Sequence, residues 1–331
     1  MARARKTQRI TGVGAALVDM TARVSEAQLA GLGSAKGMME LVDPMRAEQL
    51  LGAVELTAQS AGGSVANTIA GLAALDVATG FIGAVGSDAR GAFFRTELER
   101  LGTRCALPAS PQHPTGCSII LLTPDSERSM HTLLGAAGAI PPEALDPSLL
   151  QETALLFGEA YLWDSADNRA RFVQAAQQVR AQGGEIALAL ADPLCVARHR
   201  AALQEFAAAH VDILLGNEKE ACAFYETRQL DEAVAQAQAQ RRIGAFTQSA
   251  AGAVILDAGR SLHLPAQEVA NIQDLTGAGD MFAAGYLAAR RAGASPSQCG
   301  ALGIACASEI LAQIGARPRT SFMVLRKRVL R

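Results

Sequence analysis

The stretch DLTGAGDMFAAGYL, residues 274–287, joins a glycine-rich loop and a carboxylate to the start of an apolar helical pattern. Two glycines and an acid are unfavourable for an ordinary packed helix, so we expect that something other than helix packing selects these residues. Apolar residues recur at helical spacing after Asp280, which predicts a helix that begins at the loop. The peptide N–H groups of its first turn would lack intrahelical acceptors and would form an anion site.

Asp280 is the unusual member of this predicted site. The glycines at 277 and 279 let the backbone approach a ligand closely, and the positive end of the helix favours a phosphoryl group. A carboxylate beside an anion site repels the anion, unless its purpose is to accept a proton from an attacking hydroxyl. The alternative is an Asp that caps the first turn, at about 1 kcal/mol. This stretch alone leaves the two interpretations even.

The composition favours a globular protein that acts on small molecules. Half of the 331 residues are apolar, 19% are charged and the formal net charge is -2, which argues against disorder and against a general nucleic-acid-binding surface. The six cysteines include no CxxC pair, so we expect reduced thiols and a cytoplasmic protein. The basic start MARARKTQR is interpreted as a frayed end that enters a buried strand, because the apolar run after it is too short for a membrane span and Asp19 interrupts it.

Short apolar runs alternate with helical patterns along the chain, which is typical of a parallel sheet covered by helices on both faces. The predicted strands are RITGVGAALV, TGFIGAV, ALLFGEA, EIALALAD, VDILLG and AGAVILDAG. The predicted helices are SVANTIAGLAAL, GAFFRTELERLG, ADNRARFVQAAQQVRAQG, RHRAALQEFAAAH and DEAVAQAQAQ.

Two segments interrupt this alternation. One runs from about residue 21 to 60, and the other, PTGCSIILLTPDSERSMHTLLG, reads as a hairpin around the turn signal TPDSE. A hairpin alone is marginal in water and needs further strands or a surface to cover. We therefore expect a single domain over residues 1–331, with a small β lid built from about residues 20–60 and 105–135.

Three further motifs carry polar groups next to predicted helix starts or strand ends. NEKE places Asn217 and Glu220 three residues apart, which suits either a water-mediated Mg²⁺ site or a capping box at the helix start. In AGGSVANT, a glycine pair ending at Gly63 precedes Asn67. The glycines could let the chain bend when substrate binds, and the Asn67 amide could hydrogen-bond sugar hydroxyls. A plain turn followed by a polar helix residue explains the same pattern equally well. Asp19 ends the first predicted strand, where open α/β sheets bind ligands.

Two nucleotide-binding motifs are missing. GVGAALVDM begins like the dinucleotide fingerprint GxGxxG, but Leu17 occupies the position of the third glycine. No GxxxxGK[ST] loop is present in the sequence, so any transferred phosphate needs a different cradle.

Taken together, these segments resemble the ribokinase-like (PfkB) carbohydrate kinase family over nearly the whole chain. DLTGAGD is similar to the DTxGAGD motif of that family, with Leu275 in place of a common Thr; NEKE is similar to its NxxE motif and GGSVANTIAGLA to its glycine-pair motif. The segments KGMMELVD, YLWD and LADPLCVARHR resemble the adenosine kinase-like bacterial branch. The resemblance implies an α/β three-layer sandwich, with a central mostly parallel sheet flanked by helices and a small β-sheet lid.

The resemblance also implies an activity and residue roles. The activity is an ATP-dependent kinase of a primary hydroxyl, the ribose 5′-OH in the adenosine kinase branch, with Mg²⁺ and with K⁺ as a candidate activator. Asp280 would be the general base, and the backbone of Gly277, Ala278, Gly279 and Asp280 the anion hole. Substrate would contact Asp19, Gly63, Asn67 and Arg128, the last reaching the transferred phosphate. Asn217 and Glu220 would organise Mg²⁺ through water, and ATP would lie beside Asn217, Thr247, Ser249, Gly252 and Gly303.

Alternatives remain open for the substrate. A kinase of a free sugar (ribose, fructose or a keto-deoxy acid) would share the fold but not need an apolar slot for a base, for which the candidates are Met38, Met39, Leu134, Tyr161 and Trp163. A non-catalytic nucleotide-binding protein is a third hypothesis, against which the intact Asp280 and its glycines argue. Monomer and homodimer are equally compatible, because a lid sheet can also pair between subunits.

Overall fold

The computed structural model describes residues 9–125 and 127–331. The predicted frayed basic end, residues 1–8, and Ser126 in the predicted turn therefore lie outside the described residues. Within them, no helix is long and apolar enough to cross a membrane.

The larger of the sheets contains nine strands among the described residues. In chain order they are β1 Arg9–Val13, β5 Thr79–Ile82, β7 Arg104–Ala106, β11 Thr153–Glu159, β12 Glu185–Ala189, β13 Ile213–Asn217, β14 Ile243–Thr247, β15 Ala253–Asp257 and β16 Arg260–Leu264. Their spatial order is β16-β15-β14-β13-β12-β11-β1-β5-β7. All neighbours from β14 to β7 pair in parallel, and β15 and β16 continue the sheet antiparallel.

Helices cover both faces of this sheet. The helices of the described residues are α1 Glu26–Gly31, α2 Pro44–Ala53, α3 Ser64–Ala74, α4 Ala89–Arg100, α5 Pro147–Glu152, α6 Ala166–Ala181, α7 Pro193–His210, α8 Glu218–Tyr225, α9 Leu230–Ala239, α10 Ala278–Arg291, α11 Pro296–Leu311 and α12 Met323–Val329. Of these, α2 packs against the smaller sheet described below. Short 3-10 helices span Gly135–Gly138, Pro142–Ala144, Ala160–Asp164 and Ser249–Ala251. Successive strand residues enter opposite cores: Leu155 and Phe157 pack with α3 and α10, and Leu156 packs with α6 and α7. The predicted three-layer architecture is confirmed.

A smaller sheet forms a separate layer. It contains β2 Leu17–Arg23, β3 Met39–Leu41, β4 Leu56–Gly62, β9 Gly116–Leu122 and β10 Arg128–Leu133, in the order β3-β10-β9-β2-β4. The antiparallel pair β9 and β10 is the hairpin predicted around TPDSE. A short parallel pair, β6 Val85–Gly86 and β8 Ala109–Ser110, completes the strands of the described residues.

The prediction of one continuous strand RITGVGAALV is wrong. β1 ends at Val13, and the chain then passes to β2 of the small sheet. Helix α3 crosses close to this passage, because a Cβ on Gly12 or Gly14 would lie 2.5 or 2.7 Å from Val65. Asp19 therefore lies inside β2 of the small sheet, and not at the end of a strand of the large sheet.

Helix α10 packs tightly between α3 and α11. A Cβ on Gly71 of α3 would lie 2.7 Å from the Cβ of Ala284, and a Cβ on Gly285 would lie 2.5 Å from the carbonyl oxygen of Leu302 in α11. These glycines let the backbones approach closely, so the position of α10 is fixed by contacts on two sides.

We predict that Gly285→Ala destabilises the protein by about 1–3 kcal/mol, because the added methyl group meets backbone that must shift. Gly52→Ala is the matched control: Gly52 is also in a helix, and its Cβ would meet nothing within 4 Å, so this change should stabilise by about 0.5–1 kcal/mol. Urea unfolding of both variants measures the difference. Equal stabilities would contradict the close packing of α10.

Candidate active site

The first turn of α10 is exposed at Gly279. Gly277 precedes the helix with φ 79°, and a Cβ there would lie 2.6 Å from the Cβ of Ala316, so this position requires glycine. The first helical hydrogen bond runs from Met281 N–H to the Gly277 carbonyl at 2.8 Å. The N–H groups of Gly279 and Asp280 precede that bond, and a Cβ on Gly279 would meet nothing within 4 Å. This is the geometry expected of an anion site.

Asp280 does not cap its own helix. The residue before α10 is Gly277, which makes no side-chain capping bond. The carboxylate instead accepts hydrogen bonds from the Ser64 hydroxyl at 2.8 Å and from Nδ2 of Asn67 at 3.0 Å. Both donors lie in the first turns of α3, whose Thr68 hydroxyl also bonds the Asp280 carbonyl at 3.2 Å. The capping interpretation of Asp280 is therefore excluded.

The environment of Asp280 makes it a stronger base than a solvated carboxylate. Burial of the carboxyl group raises its pKa, while the hydrogen bonds from Asn67 and Ser64 and the charge of Arg317 act in the opposite direction. The residue as a whole keeps some exposure, as a group that must reach a substrate requires. A carboxylate of raised pKa accepts a proton more readily than a solvated one once it is ionised.

Asp19 lies on β2 of the small sheet, within electrostatic reach of Asp280. Its carboxylate rests against Gly62 on the neighbouring strand β4, where an added Cβ would lie 2.2 Å from Oδ1. Burial raises the pKa of Asp19 to about 6, while Arg317 and Arg128 lower it and Asp280 raises it further. Asp19 and Asp280 are thus close enough to interact electrostatically.

Gly63 directly precedes helix α3 with φ 90°, and a Cβ there would lie 2.5 Å from the carbonyl oxygen of Ala15. The glycine pair is therefore required by the turn that brings Ser64 and Asn67 to Asp280. Its predicted hinge and its contact with substrate stay predictions.

Two ionisable residues of the site were not predicted from the sequence. Glu159 ends β11 with only 3% of its surface exposed, one of its carboxyl oxygens has no hydrogen-bond partner in the described residues, and burial raises its pKa to about 8. Arg317 follows α11 and donates from Nε to Oδ1 of Asn67 at 3.3 Å. An acid at the carboxyl end of the apolar run ALLFGEA was a usable signal for Glu159. No local pattern distinguished Arg317 from a solvated arginine.

Arg128 links the small sheet to the glycine-rich loop. Its Nη1 donates to both carboxylate oxygens of Asp274, at 2.8 and 3.1 Å. Asp274 also accepts from the N–H groups of Thr276 and Gly315. Its own side chain is 8% exposed, so this ion pair is well shielded from water. The predicted contact of Arg128 with a transferred phosphate stays a prediction, and would require it to leave Asp274.

Asn217 and Glu220 form a capping box at the start of α8. Oδ1 of Asn217 accepts from Glu220 N–H at 3.0 Å, and Oε2 of Glu220 accepts from Asn217 N–H at 2.9 Å. Burial raises the pKa of Glu220 to about 7. Direct ligation of a metal by Asn217 or Glu220 would break these hydrogen bonds. The water molecules of a hydrated cation would instead donate to the lone pairs of these oxygens that the capping box leaves free. The oxygen donors therefore fit Mg²⁺ held through its waters.

The residues predicted beside ATP fall into two groups. Thr247 ends β14 directly opposite Asn217 in the sheet register, so the two lie at the same carboxyl edge. Ser249 follows as an exposed residue with φ 48°. Gly252 has φ 101°, and a Cβ added to it would lie 2.0 Å from the carbonyl oxygen of Leu264. Gly303 lies apart from them, buried in α11 against Phe282 of α10. Its place in an adenine wall stays a prediction.

The predicted apolar slot is only partly supported. Met38 and Met39, at the start of β3, are 60% and 44% exposed and remain available to a ligand. Leu134 and Tyr161 are half-buried. The prediction of Trp163 as a slot residue is wrong, because it is 4% exposed and packs edge-on against Phe172 and Phe206 in the core beneath α6 and α7.

The side chain of Leu275 in the glycine-rich loop is exposed, so its departure from a common Thr leaves the packing of the loop intact.

An acid held at an exposed helix N-terminus, near the carboxyl edge of a parallel sheet, fits an enzyme that transfers an anionic group to a hydroxyl. Residues 29–321 match the family model described as pfkB family carbohydrate kinase, and the chain belongs to this family. It is therefore a phosphotransferase with an alcohol group as acceptor.

Known proteins of similar sequence and fold include both nucleoside and sugar kinases. The adenosine kinase from Sinorhizobium meliloti is 33% identical, covering 97% of this chain and 99% of its own, with a TM-score of 0.89. A probable sugar kinase from Rhizobium etli CFN 42 is 33% identical over 98% of each chain, with a TM-score of 0.90. The ATP-dependent ribose-1-phosphate kinase of Halopiger xanaduensis is 29% identical over 70% of this chain and 73% of its own length.

We predict that Glu159→Gln reduces the loss of stability at alkaline pH. With a pKa of about 8 against an ordinary value of 4.5, Glu159 contributes stability that is fully present below its unfolded pKa and is lost as the pH rises through the folded value. Glutamine cannot ionise, so the melting temperature of the variant should fall less between about pH 5 and pH 9. A difference on the order of 1 kcal/mol corresponds to about 2–4 °C.

Glu218→Gln, at an exposed position of α8, is the control and should follow the wild-type curve. Asp19 and Glu220 titrate in all three proteins, so their contributions to the pH dependence of stability cancel in the comparison. Parallel curves for Glu159→Gln and wild type would show that Glu159 is not held protonated.

Proposed function

We propose that the protein is an ATP-dependent kinase that transfers the γ-phosphate to the 5′-hydroxyl of a ribonucleoside, with adenosine as the first expected substrate and AMP and ADP as products. The observation that carries this proposal is Asp280, held by Ser64 and Asn67 at the open first turn of α10. The choice of a nucleoside is supported by the similarity to the adenosine kinase from Sinorhizobium meliloti over nearly the whole chain.

In the proposed reaction, Asp280 accepts the proton of the acceptor hydroxyl as its oxygen attacks the γ-phosphorus. The bond from that phosphorus to the β,γ-bridging oxygen breaks, and ADP leaves. Charge on the equatorial oxygens is received by the N–H groups of residues 277–280, which the start of the helix already orients. The Ala278 N–H would first have to leave the carbonyl oxygen of Leu275, to which it donates at 3.4 Å. The two hydrogen bonds to Asp280 fix its carboxylate, and each of its oxygens keeps a free lone pair for the incoming proton.

Acceptor binding is assigned to the groups around Asp280. The proposal gives the ribose hydroxyls to Asp19, Asn67 and the backbone at Gly63. Asp19 is supported in this role by its position on the small sheet, opposite Asp280, and by the close contact of its carboxylate with Gly62. A vicinal diol offers two donors to one carboxylate, which would offset the loss of solvation there.

ATP is proposed to lie along the carboxyl edge of β13 and β14, beside Asn217, Thr247, Ser249 and Gly252, with Gly303 further along near the adenine. Asn217 and Glu220 would hold Mg²⁺ through its waters. When bound, the ion neutralises phosphate charge and orients the transferred group. A K⁺ site near the glycine-rich loop is part of the proposal, and turnover with and without K⁺ tests it.

The small sheet is proposed to act as a lid over the acceptor. Closure would exclude water and limit ATP hydrolysis. On closure, Arg128 would leave its ion pair with Asp274 and bind the transferred phosphate. The exposed Met38 and Met39 would contact the base of the nucleoside. A kinase of a free sugar is the second candidate, favoured by the similarity to the probable sugar kinase from Rhizobium etli.

We expect ADP release with ATP and Mg²⁺ when adenosine is the acceptor, and little with ribose, fructose or 2-keto-3-deoxygluconate. A coupled assay over these acceptors, together with inosine, guanosine and cytidine, ranks them by kcat/KM. Turnover with a free sugar alone would move the assignment to the second candidate. No turnover with any acceptor would favour the non-catalytic alternative.

Asp280→Asn is expected to lower kcat by about 100-fold or more, the usual contribution of a general base, while adenosine binding measured by calorimetry stays within a few-fold. Asn keeps the shape of the side chain and removes its basicity. Asp231→Asn, in the exposed first turn of α9, is the matched control and should not change kcat. Near-normal turnover by Asp280→Asn would remove the general-base role.

A further inference from the structure

Arg317 brings a positive charge to the acceptor side of the site, although it lies far from α3 and β2 in sequence. Its neighbour Ala316 packs against Gly277, the glycine that directly precedes α10. Its Nε donates to Oδ1 of Asn67 at 3.3 Å. Its Nη2 is buried and has no hydrogen-bond partner in the described residues. Burial lowers the pKa of Arg317 to about 10, and the neighbouring Asp19 is the largest influence in the other direction.

The hydrogen bond from Arg317 selects the orientation of the Asn67 amide. A guanidinium can only donate, so it pairs with the amide oxygen and leaves Nδ2 to face Asp280. That arrangement gives the Asp280 carboxylate a donor at 3.0 Å. Asn67 is 5% exposed, so water does not readily replace Arg317. Without Arg317, the amide oxygen of Asn67 would lose its hydrogen-bond donor. If the amide then flipped, its oxygen would face the Asp280 carboxylate, and the two acceptors would repel each other.

The same guanidinium acts electrostatically on both carboxylates of the acceptor site. Its charge lowers the pKa of Asp19 and of Asp280, against the raising effect of burial on each. The other charged groups that act on these two are Arg128 from β10, which lowers the pKa of Asp19, and the carboxylates themselves. Glu159 from β11 and Glu220 from α8 also interact with Asp280. Arg317 is thus the cation shared by the two acids of the acceptor site.

Building on the proposed function, we infer that Arg317 is a positioning residue that holds the Asn67 amide toward Asp280 and allows Asp19 and Asp280 to be ionised in one acceptor site. A base must be unprotonated before the hydroxyl arrives, and two neighbouring carboxylates without a cation favour sharing one proton. The guanidinium removes that tendency without touching the reacting atoms.

The test is the pH profile of kcat/KM for Arg317→Gln and Arg317→Lys. The Gln variant should lose activity at neutral pH, shift the acidic limb upward by about one pH unit or more, and recover part of its activity at alkaline pH. The Lys variant keeps the charge without the same hydrogen bond. Its acidic limb should stay near that of wild type, while kcat falls. A merely structural role would lower activity by the same factor at every pH.

Arg319→Gln is the matched control, because Arg319 is exposed and bonds only a loop carbonyl, that of Ile314, among the contacts described. Its profile should match wild type. An unshifted acidic limb in Arg317→Gln would overturn the inference, as would equal shifts in the Gln and Lys variants.

A second measurement separates this inference from the proposed function. Without Arg317, Asp19 and Asp280 bind protons more tightly in the folded state, so stability is lost more steeply as the pH rises. Arg317→Gln should therefore be destabilised more at about pH 8 than at about pH 5 in urea unfolding, even if no acceptor is turned over. Inactive wild type would refute the proposed function only, whereas equal destabilisation at both pH values would refute the role of Arg317.

Discussion

The proposed site depends on one electrostatic constraint: the Asp280 carboxylate is largely enclosed by protein, and its proposed role as a base requires it to be ionised there. An enclosed charge is tolerated only where hydrogen bonds and opposite charge replace water. Here Ser64 and Asn67 supply the hydrogen bonds and Arg317 the opposite charge. Because the donors lie on α3 and the acid on α10, the two helices must begin side by side. The close contacts at Gly71 and Gly285 hold α10 in that position.

The large sheet provides the remaining groups because its parallel strands end at one edge. Glu159 ends β11, Asn217 ends β13 and Thr247 ends β14, which follows the general rule that open α/β sheets bind ligands beyond their carboxyl ends. The small sheet contributes Asp19 from the opposite side, and the ion pair of Arg128 with Asp274 joins it to the glycine-rich loop. Burial raises the pKa values of Asp19, Glu159, Glu220 and Asp280, so these acids lower the stability of the protein as the pH rises.

Sequence patterns predicted the layers, the helix at Asp280 and the pair Asn217 and Glu220, because these rest on local periodicity and on short motifs. They failed where tertiary contacts decide. The passage between β1 and β2 is set by the packing of Val65 on Gly12 and Gly14, so Asp19 was assigned to the wrong sheet. Strand β14 was missed in the weakly apolar run IGAFT, and Trp163 was assigned to a slot although Phe172 and Phe206 bury it. Arg317 acts through residues 250 positions away, which no local pattern indicates.

The central claim is that Asp280 and the first turn of α10 direct phosphate to the primary hydroxyl of a nucleoside. Phosphorus NMR of the product formed by the wild-type protein from adenosine, ATP and Mg²⁺ tests it most directly. The account predicts a single new monoester resonance that couples to the two 5′ protons, identical to that of AMP. A 2′- or 3′-phosphate, or inorganic phosphate as the sole product, would contradict it.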